Sequence, residues 1–292
     1  MLFKDRSYNF EAVTINGGLD HVVSDISYAS GERHKLDLYI PKGEGEHPVI
    51  VDLYGGGLVR GEKSSYKLTP SLRFINDGYA VASMDYSHNS DQHFTFPNQI
   101  AEVRAAVNFL TANAAEYNLK ADQVSLIGES SGAQLAVLAA ASFSAGVRLG
   151  HLPGESTKLP KIKRVIGMYG PYELDAFHRQ FDAIKVVPKF PETGAHNSFE
   201  GLELGNRKPA EVPYAVAQGN PANYFTVDMP PLMLVAGTAD QVVPYVQSVN
   251  LAKQYQALTG RETELHIVEG AHHGITDFDT EEFHQAKLKF LQ

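Results

Sequence analysis

Two stretches near the start of the chain, residues 21–28 (HVVSDISY) and 33–40 (RHKLDLYI), alternate apolar and polar side chains, with Ser30-Gly31 between them. A period of two broken by a turn predicts a β-hairpin with one face on a core and one in water. Later apolar stretches are more continuous: 48–54, 79–86, 124–127, 162–169, 231–236 and 263–269. Strands buried on both faces read this way. Helical spacing fills the gaps. Ile100, Val103, Val107 and Leu110 mark a helix from Pro97 to about Tyr117, an Ala/Leu-rich run follows Gly132, and further helices are expected at about 245–258 and from about 279. Thr69-Pro70 has the form of an N-cap with proline at the first helical position, opening a helix that ends near Gly78. Strands alternating with helices predict an α/β fold: a mostly parallel sheet of about eight strands flanked by helices, the first two strands an antiparallel addition. Residues 144–161 read as loop. Residues 173–222 break the rhythm, with no strand pattern, few helical periods and several prolines. That length without clear elements marks a cap-like insertion after the sixth strand, within one domain spanning 1–292.

Composition narrows the class. With 292 residues, 43% of them apolar, the chain can bury a sizeable core. A formal net charge of −9 argues against nucleic acid or an anionic membrane surface as the main partner. Cysteine is absent, which excludes disulfides, thiolate chemistry and Cys-based metal sites. The first residues, MLFKDRSYNFEAVTINGG, carry no apolar h-region, and no stretch reaches the roughly 18 apolar residues of a membrane span. A cytoplasmic protein without membrane insertion is the default expectation.

The candidate chemistry begins at Gly128-Glu129-Ser130-Ser131-Gly132, a Gly-x-Ser-x-Gly pentapeptide between the strand 124–127 and a helix. The pentapeptide alone is a weak signal. In a strand-to-helix turn it places the middle serine on a strained elbow above the sheet edge. A serine hydroxyl needs a base to take its proton, and the base needs an orienting acid. In chain order, Asp240 follows the strand 231–236 and the pair His272-His273 follows the strand 263–269, so both lie at strand ends as a Ser–acid–His series requires. Asp277 and Asp279 are rival acids but come after the histidines. Either histidine satisfies the spacing. Gly55-Gly56-Gly57 follows another buried strand and leaves backbone N–H groups free to face a ligand. His88 and His93 sit in the loop 87–96, where surface or structural roles are the simpler reading.

These stretches together resemble the α/β-hydrolase-fold carboxylesterases related to hormone-sensitive lipase, in particular the branch that includes feruloyl and acetyl-xylan esterase-like enzymes. The resemblance runs from about residue 33 to the end. It is carried by YGGGLVRG at 54–61, Asp85-Tyr86, Phe96-Pro97, GESSG, PPLMLVAGTADQVVP at 230–244 and AHHGI at 271–275. It implies Ser130 as nucleophile, Asp240 as orienting acid and His273, rather than His272, as base. It further implies oxyanion donors at the N–H groups of Gly56, Gly57 and Ser131. Three departures stand out: Tyr54 where the family usually has His, Ser131 and Ala133 where it has Ala and Gly, and Leu58 for Trp or Phe. Since Ser131 would contribute only its backbone N–H, its hydroxyl is expected to be of no consequence.

The resulting expectation is a serine carboxylesterase hydrolysing short-chain or small aromatic esters, with no metal and no organic cofactor. The partner is a small-molecule ester, and a homo-oligomer is left open. Leu58, Phe94, Phe96, Phe177 and Phe181 are candidates for the substrate pocket, with packing of the insertion an equal reading of each aromatic. Two alternatives remain. One is a peptidase or amidase of the same fold, disfavoured because related peptidases carry a large N-terminal domain for which this chain is expected to have no room. The other is a non-catalytic ligand-binding protein on a hydrolase scaffold.

Overall fold

The computed structural model describes residues 2–15, 17–90 and 92–292; Asp91, within the expected loop 87–96, and Met1 and Asn16 of the N-terminal stretch lie outside them. Among the described residues, eight strands form one sheet: β1 (Leu19–Ser27), β2 (Lys35–Pro41), β3 (His47–Leu53), β4 (Ala80–Met84), β5 (Leu119–Glu129), β6 (Val165–Met168), β7 (Leu232–Gly237) and β8 (Glu264–Val268). Their order is β1-β2-β4-β3-β5-β6-β7-β8. β2 runs antiparallel to both β1 and β4, and every other pairing is parallel. One reversed strand is therefore the whole antiparallel component. The order turns back at β3: β4 lies on one side of it and β5 on the other. Loops leaving β3 and β5 diverge at such a point and open a crevice at the strands' C-terminal ends.

Eight α-helices, again among the described residues, accompany the sheet: α1 (Thr69–Leu72), α2 (Asn98–Ala112), α3 (Ser131–Ser144), α4 (Phe177–Ile184), α5 (Phe199–Glu203), α6 (Pro213–Gly219), α7 (Val246–Thr259) and α8 (Glu281–Leu291). Side-chain alternation along the strands divides the core into two layers. Val49, Val51 and Leu53 pack with α2 and α3 on one face, while Ile50 joins Phe74, Val81, Ile127 and Leu291 on the other. Helix α3 is buried from Ser131 to Phe143, which accounts for its near-absence of polar side chains. No helix among the described residues is long and apolar enough to cross a membrane.

Three expectations are corrected. The helix opened by Thr69 is a short α turn between two 3₁₀ turns, and Thr69 is not its N-cap. The 3₁₀ turn at Tyr66–Leu68 brings the backbone into helical geometry first, so the Thr69 hydroxyl instead donates to the Tyr66 carbonyl at 2.6 Å. Gly78 does end the segment, at φ +84°. The helix expected to reach Tyr117 stops at Ala112, where the Asn113 amide takes the Phe109 carbonyl at 2.8 Å. Residues 173–222 contain α4, α5 and α6, each too short for a helical period to repeat in sequence.

The insertion docks on α3 through a buried polar contact. Gln134 Nε2 donates to Glu203 Oε1 at 2.6 Å. Burial, partly offset by Gln134, pushes the Glu203 carboxyl up to about 8, and burial likewise raises Glu200 to about 7. An acid with a raised folded-state pKa favours folding while it is protonated, and that contribution is lost as pH rises from its unfolded value near 4.5 through about 8. Glu203→Gln removes this loss. The stability of the variant relative to the parent, read by urea unfolding, is expected to increase on the order of 3 kcal/mol between about pH 5 and pH 9.

Candidate active site

The strand β5 passes into α3 through Ser130, whose φ of +52° and ψ of −125° lie in a region that non-glycine residues rarely occupy. The turn is tight enough to demand glycine on both sides. A Cβ on Gly128 would come within 2.2 Å of the Gly132 carbonyl oxygen, and one on Gly132 within 2.0 Å of the Leu53 carbonyl oxygen. The strained serine is tethered by its own N–H, which donates to the Met168 carbonyl at 2.9 Å.

The loops after β7 and β8 bring the other two groups to this serine. His273 Nε2 lies 2.9 Å from Ser130 Oγ, and its Nδ1 lies 2.7 Å from Asp240 Oδ2. The Asp240 side chain is fully buried, and its other oxygen accepts the N–H groups of Val242 at 2.7 Å and Val243 at 2.9 Å. With the carboxylate satisfied on both oxygens, the imidazole proton belongs on Nδ1 and Nε2 is left to accept the serine hydroxyl. Tyr169 meets the His273 ring edge-on at 4.8 Å between centroids and narrows its freedom to turn. His272 faces away: its side chain is 72% exposed and is held by Asp277, the rival acid, at 3.1 Å.

The glycine loop after β3 lies against the start of α3. Gly56 N–H and Leu58 N–H both donate to Ser131 Oγ, at 3.2 and 3.3 Å. The Ser131 hydroxyl is thus a tie between loop and helix, contrary to the expectation that it is inconsequential. Among the described residues, the N–H groups of Gly57 and Ser131 have no acceptor, whereas that of Gly56 is shared with the Ser131 hydroxyl. Gly57 has φ +63°, and a Cβ there would meet Phe199 Cβ at 2.9 Å. Glu129 closes the back of the site: it accepts Gly55 N–H at 3.2 Å and Tyr169 O–H at 2.8 Å, and Lys67 Nζ lies 3.6 Å away.

Tyr54 holds the loop from below through Arg33. The guanidinium donates to Tyr54 Oη at 2.7 Å, Gly61 O at 3.0 Å, Tyr86 O at 2.8 Å and Asp85 Oδ1 at 3.1 Å. Burial and the nearby Arg33 charge push His88 down to about 3, so its neutral Nε2, 3.1 Å from Tyr54 Oη, serves as an acceptor. Arg33→Met leaves two carbonyls and the Asp85 carboxylate short of a donor. A loss of about 2 kcal/mol is expected in denaturant unfolding, less than for a fully buried pair because Arg33 is 31% exposed.

The model of the BD-FAE family matches residues 36–255, three quarters of the sequence. The chain belongs to the BD-FAE family. A probable isoprenylcysteine α-carbonyl methylesterase of Arabidopsis thaliana is 26% identical over 256 residues, covering 87% of this chain and 51% of its own. Esterase LipC of Mycobacterium tuberculosis is 23% identical, covering 80% and 54%. The chain therefore spans about half the length of the curated relatives it matches. A truncated carbohydrate esterase from gut microbiota superposes with a TM-score of 0.80 over 97% of this chain and 98% of its own, at 23% identity. The fold is that of the α/β-hydrolase esterases.

Beside Ser130 this BD-FAE chain has a cavity of about 390 Å³. None of the five expected pocket residues lines it. Leu58 and Phe177 are buried in core clusters, and Phe181 packs with Phe177, Phe199 and Val243 beneath the insertion. Phe96 packs at the edge of the main core, and Phe94 is 42% exposed. Phe177 and Phe181 pack within the insertion, and the insertion reaches the cavity through Phe190 and Phe199 instead. The walls mix aromatic with basic side chains and come in part from residues 3–9, including Phe3, Arg6 and Tyr8. This N-terminal segment crosses the glycine loop and is pinned by the bridge between Ala12 and Ser65 and by Tyr66 N–H on Glu11 O at 2.7 Å. It has no periodicity to announce it. The sequence signal that could have found it is the pair of aromatics, Phe3 and Tyr8, within the otherwise polar residues 3–9.

Proposed function

We propose that this chain is a serine carboxylesterase acting on small esters, with Ser130 as nucleophile, His273 as general base and Asp240 as its orienting acid. The observation that carries the proposal is the unbroken hydrogen-bond path from Ser130 Oγ through the imidazole to a buried carboxylate, 2.9 and 2.7 Å long, at a strained elbow. A packed core gains nothing from strain at one serine, whereas a nucleophile gains a fixed direction. The esterase names carried by the Arabidopsis and Mycobacterium relatives agree with this reading.

In the first half-reaction Ser130 Oγ attacks the acyl carbon as its proton passes to His273 Nε2. Asp240 stabilises the imidazolium without taking its proton. Negative charge on the carbonyl oxygen falls to the Gly57 and Ser131 N–H groups. Gly56 N–H joins them when the Ser131 hydroxyl releases it. One such donor is typically worth about 3 kcal/mol of the barrier. The imidazolium then protonates the departing alcohol. Water, deprotonated by the same imidazole, attacks the acyl-serine, so the acid receives the water oxygen and the alcohol a proton. Nothing in this sequence draws on a metal or an organic cofactor.

The test is covalent. A fluorophosphonate is expected to label the protein at one site per chain, and Ser130→Ala to abolish the label. Failure of the parent protein to label sinks the proposal. In a p-nitrophenyl ester series the highest kcat/KM is expected at acetyl to butyryl chains, since the cavity is small, about 390 Å³. A maximum at palmitoyl would overturn the small-ester part.

A further inference from the structure

Among the described residues, the walls of the Ser130 cavity carry four basic side chains, Arg6, Arg60, Lys67 and Lys189, against one carboxylate, Glu129. In a chain with a formal net charge of −9, this is a concentration of positive charge against the prevailing sign. The carboxylate is already committed, to Gly55 N–H, Tyr169 O–H and Lys67. Among the described residues, Arg6, Arg60 and Lys189 have no carboxylate within ion-pair distance. Arg60 spends its donors on the carbonyls of Phe3 and Arg6, the latter at 2.8 Å, and lies 4.1 Å from the Phe3 ring centroid. Arg6 lies 5.6 Å from the Phe190 ring centroid, and the rings of Phe3 and Phe190 meet edge to face at 5.1 Å. Aromatic faces thus hold two guanidinium groups side by side. Stacked this way, Arg6 keeps its in-plane N–H donors for an oxyanion, while Arg60, already bonded to two carbonyls, adds mainly its charge.

Like charges gathered without counterions repel. Burial and the charge of Arg6 both hold Arg60 below its usual range. An anion in the cavity relieves that repulsion and meets donors with the fork geometry that carboxylates fit.

We infer that the ester this site selects carries a carboxylate, on its acyl or its alcohol side, that is read by Arg6 and Lys189 at the cavity mouth with Arg60 behind them. The inference rests on the esterase reading above and narrows it to a substrate class. Arg6 and Lys189 are solvent-exposed, so they are placed to attract the anion from solution as well as to hold it.

Two matched pairs test this. Monoethyl adipate against ethyl hexanoate puts the carboxylate on the acyl side, and 4-acetoxybenzoate against 4-methylphenyl acetate puts it on the alcohol side. In one pair or the other, the anionic member is expected to have a kcat/KM at least about tenfold higher, the order of one hydrogen bond to a charged group. Raising NaCl should shrink that ratio, because exposed charges are screened. In the double variant Arg6→Gln, Lys189→Gln the ratio should fall to about one. Equal or faster hydrolysis of the neutral member in both pairs overturns the inference and leaves the esterase reading intact. Absence of turnover on all four esters, together with no fluorophosphonate labelling, overturns both. A ratio that survives in the double variant overturns the assignment to Arg6 and Lys189. The salt arm needs no variant, and a ratio indifferent to NaCl counts against recognition by exposed cations.

Discussion

Ser130→Ala is expected to lower kcat on 4-nitrophenyl acetate by roughly 10⁶, the scale seen when a triad nucleophile is removed. The hydroxyl is the atom that forms the new bond, and no other hydroxyl lies in hydrogen-bond contact with the His273 imidazole among the described residues. Ser131 is next in sequence, but its hydroxyl is turned into the glycine loop, on Gly56 and Leu58 N–H, and does not stand in for its neighbour. What activity is left should come from the Gly57 and Ser131 N–H groups and from binding alone. Alanine keeps the strained backbone of the elbow, so the unfolding midpoint in urea should stay within the spread of ordinary surface substitutions. Steady-state kinetics and urea unfolding on the same preparation separate lost chemistry from lost fold. A variant with near-normal turnover would remove Ser130 from the mechanism.

The adjacent histidines should differ by orders of magnitude. His273→Ala takes away the base that touches both Ser130 and Asp240, and kcat should fall about as far as for Ser130→Ala. His272→Ala loses an exposed imidazole paired with Asp277 and should leave kcat within about twofold, as a surface change does. Asp240→Asn is expected to fall between them, near about 10⁴, by turning the imidazole to the wrong tautomer. The pH–rate profile of kcat/KM provides the check. A general base gives an acid limb on which activity falls as the base takes up a proton. That limb should survive in His272→Ala. A reversed ranking of the two histidines would show that the loop after β8 presents the other ring.

Strands buried on both faces are legible in the chain because their apolar runs are unbroken, although β5 starts at Leu119, five residues before its apolar run, and β6 keeps four of the eight residues expected. β3, β4 and β7 each appear within about two residues of their sequence bounds. The elbow was legible for a different reason. Gly128 is demanded by the Gly132 carbonyl within the same turn, and Gly132 by the Leu53 carbonyl on the neighbouring strand, so the pair records the steric requirement of one tight strand-to-helix turn. Thr69 misled because local propensity lost to a 3₁₀ turn that starts three residues earlier. The short helices of the insertion were invisible because five to eight residues do not complete enough turns to repeat.

The pocket shows where such reading stops. Phe177 and Phe181 are apolar enough to line a cavity and apolar enough to form a core, and a one-dimensional pattern does not distinguish the two. Packing distinguished them: Phe199 and Val243, far along the chain, arrive to cover both rings. Likewise nothing beside Ser131 in sequence marks its hydroxyl, because its partners come from a loop more than seventy residues upstream.

By itself the chain determined the alternation of strands and helices and the sharp turn at Ser130, because each leaves a pattern a few residues long, and the order of serine, acid and histidine, because chain order is a property of the sequence. Residue spacing left both histidines open, and the family resemblance favoured His273; tertiary structure showed His273 against the serine, which amides of the glycine loop stay open and which side chains wall the cavity. Those depend on distances between segments that only the folded sheet brings together, and on a polar N-terminal stretch whose place over the site follows from backbone contacts rather than from any pattern of its own.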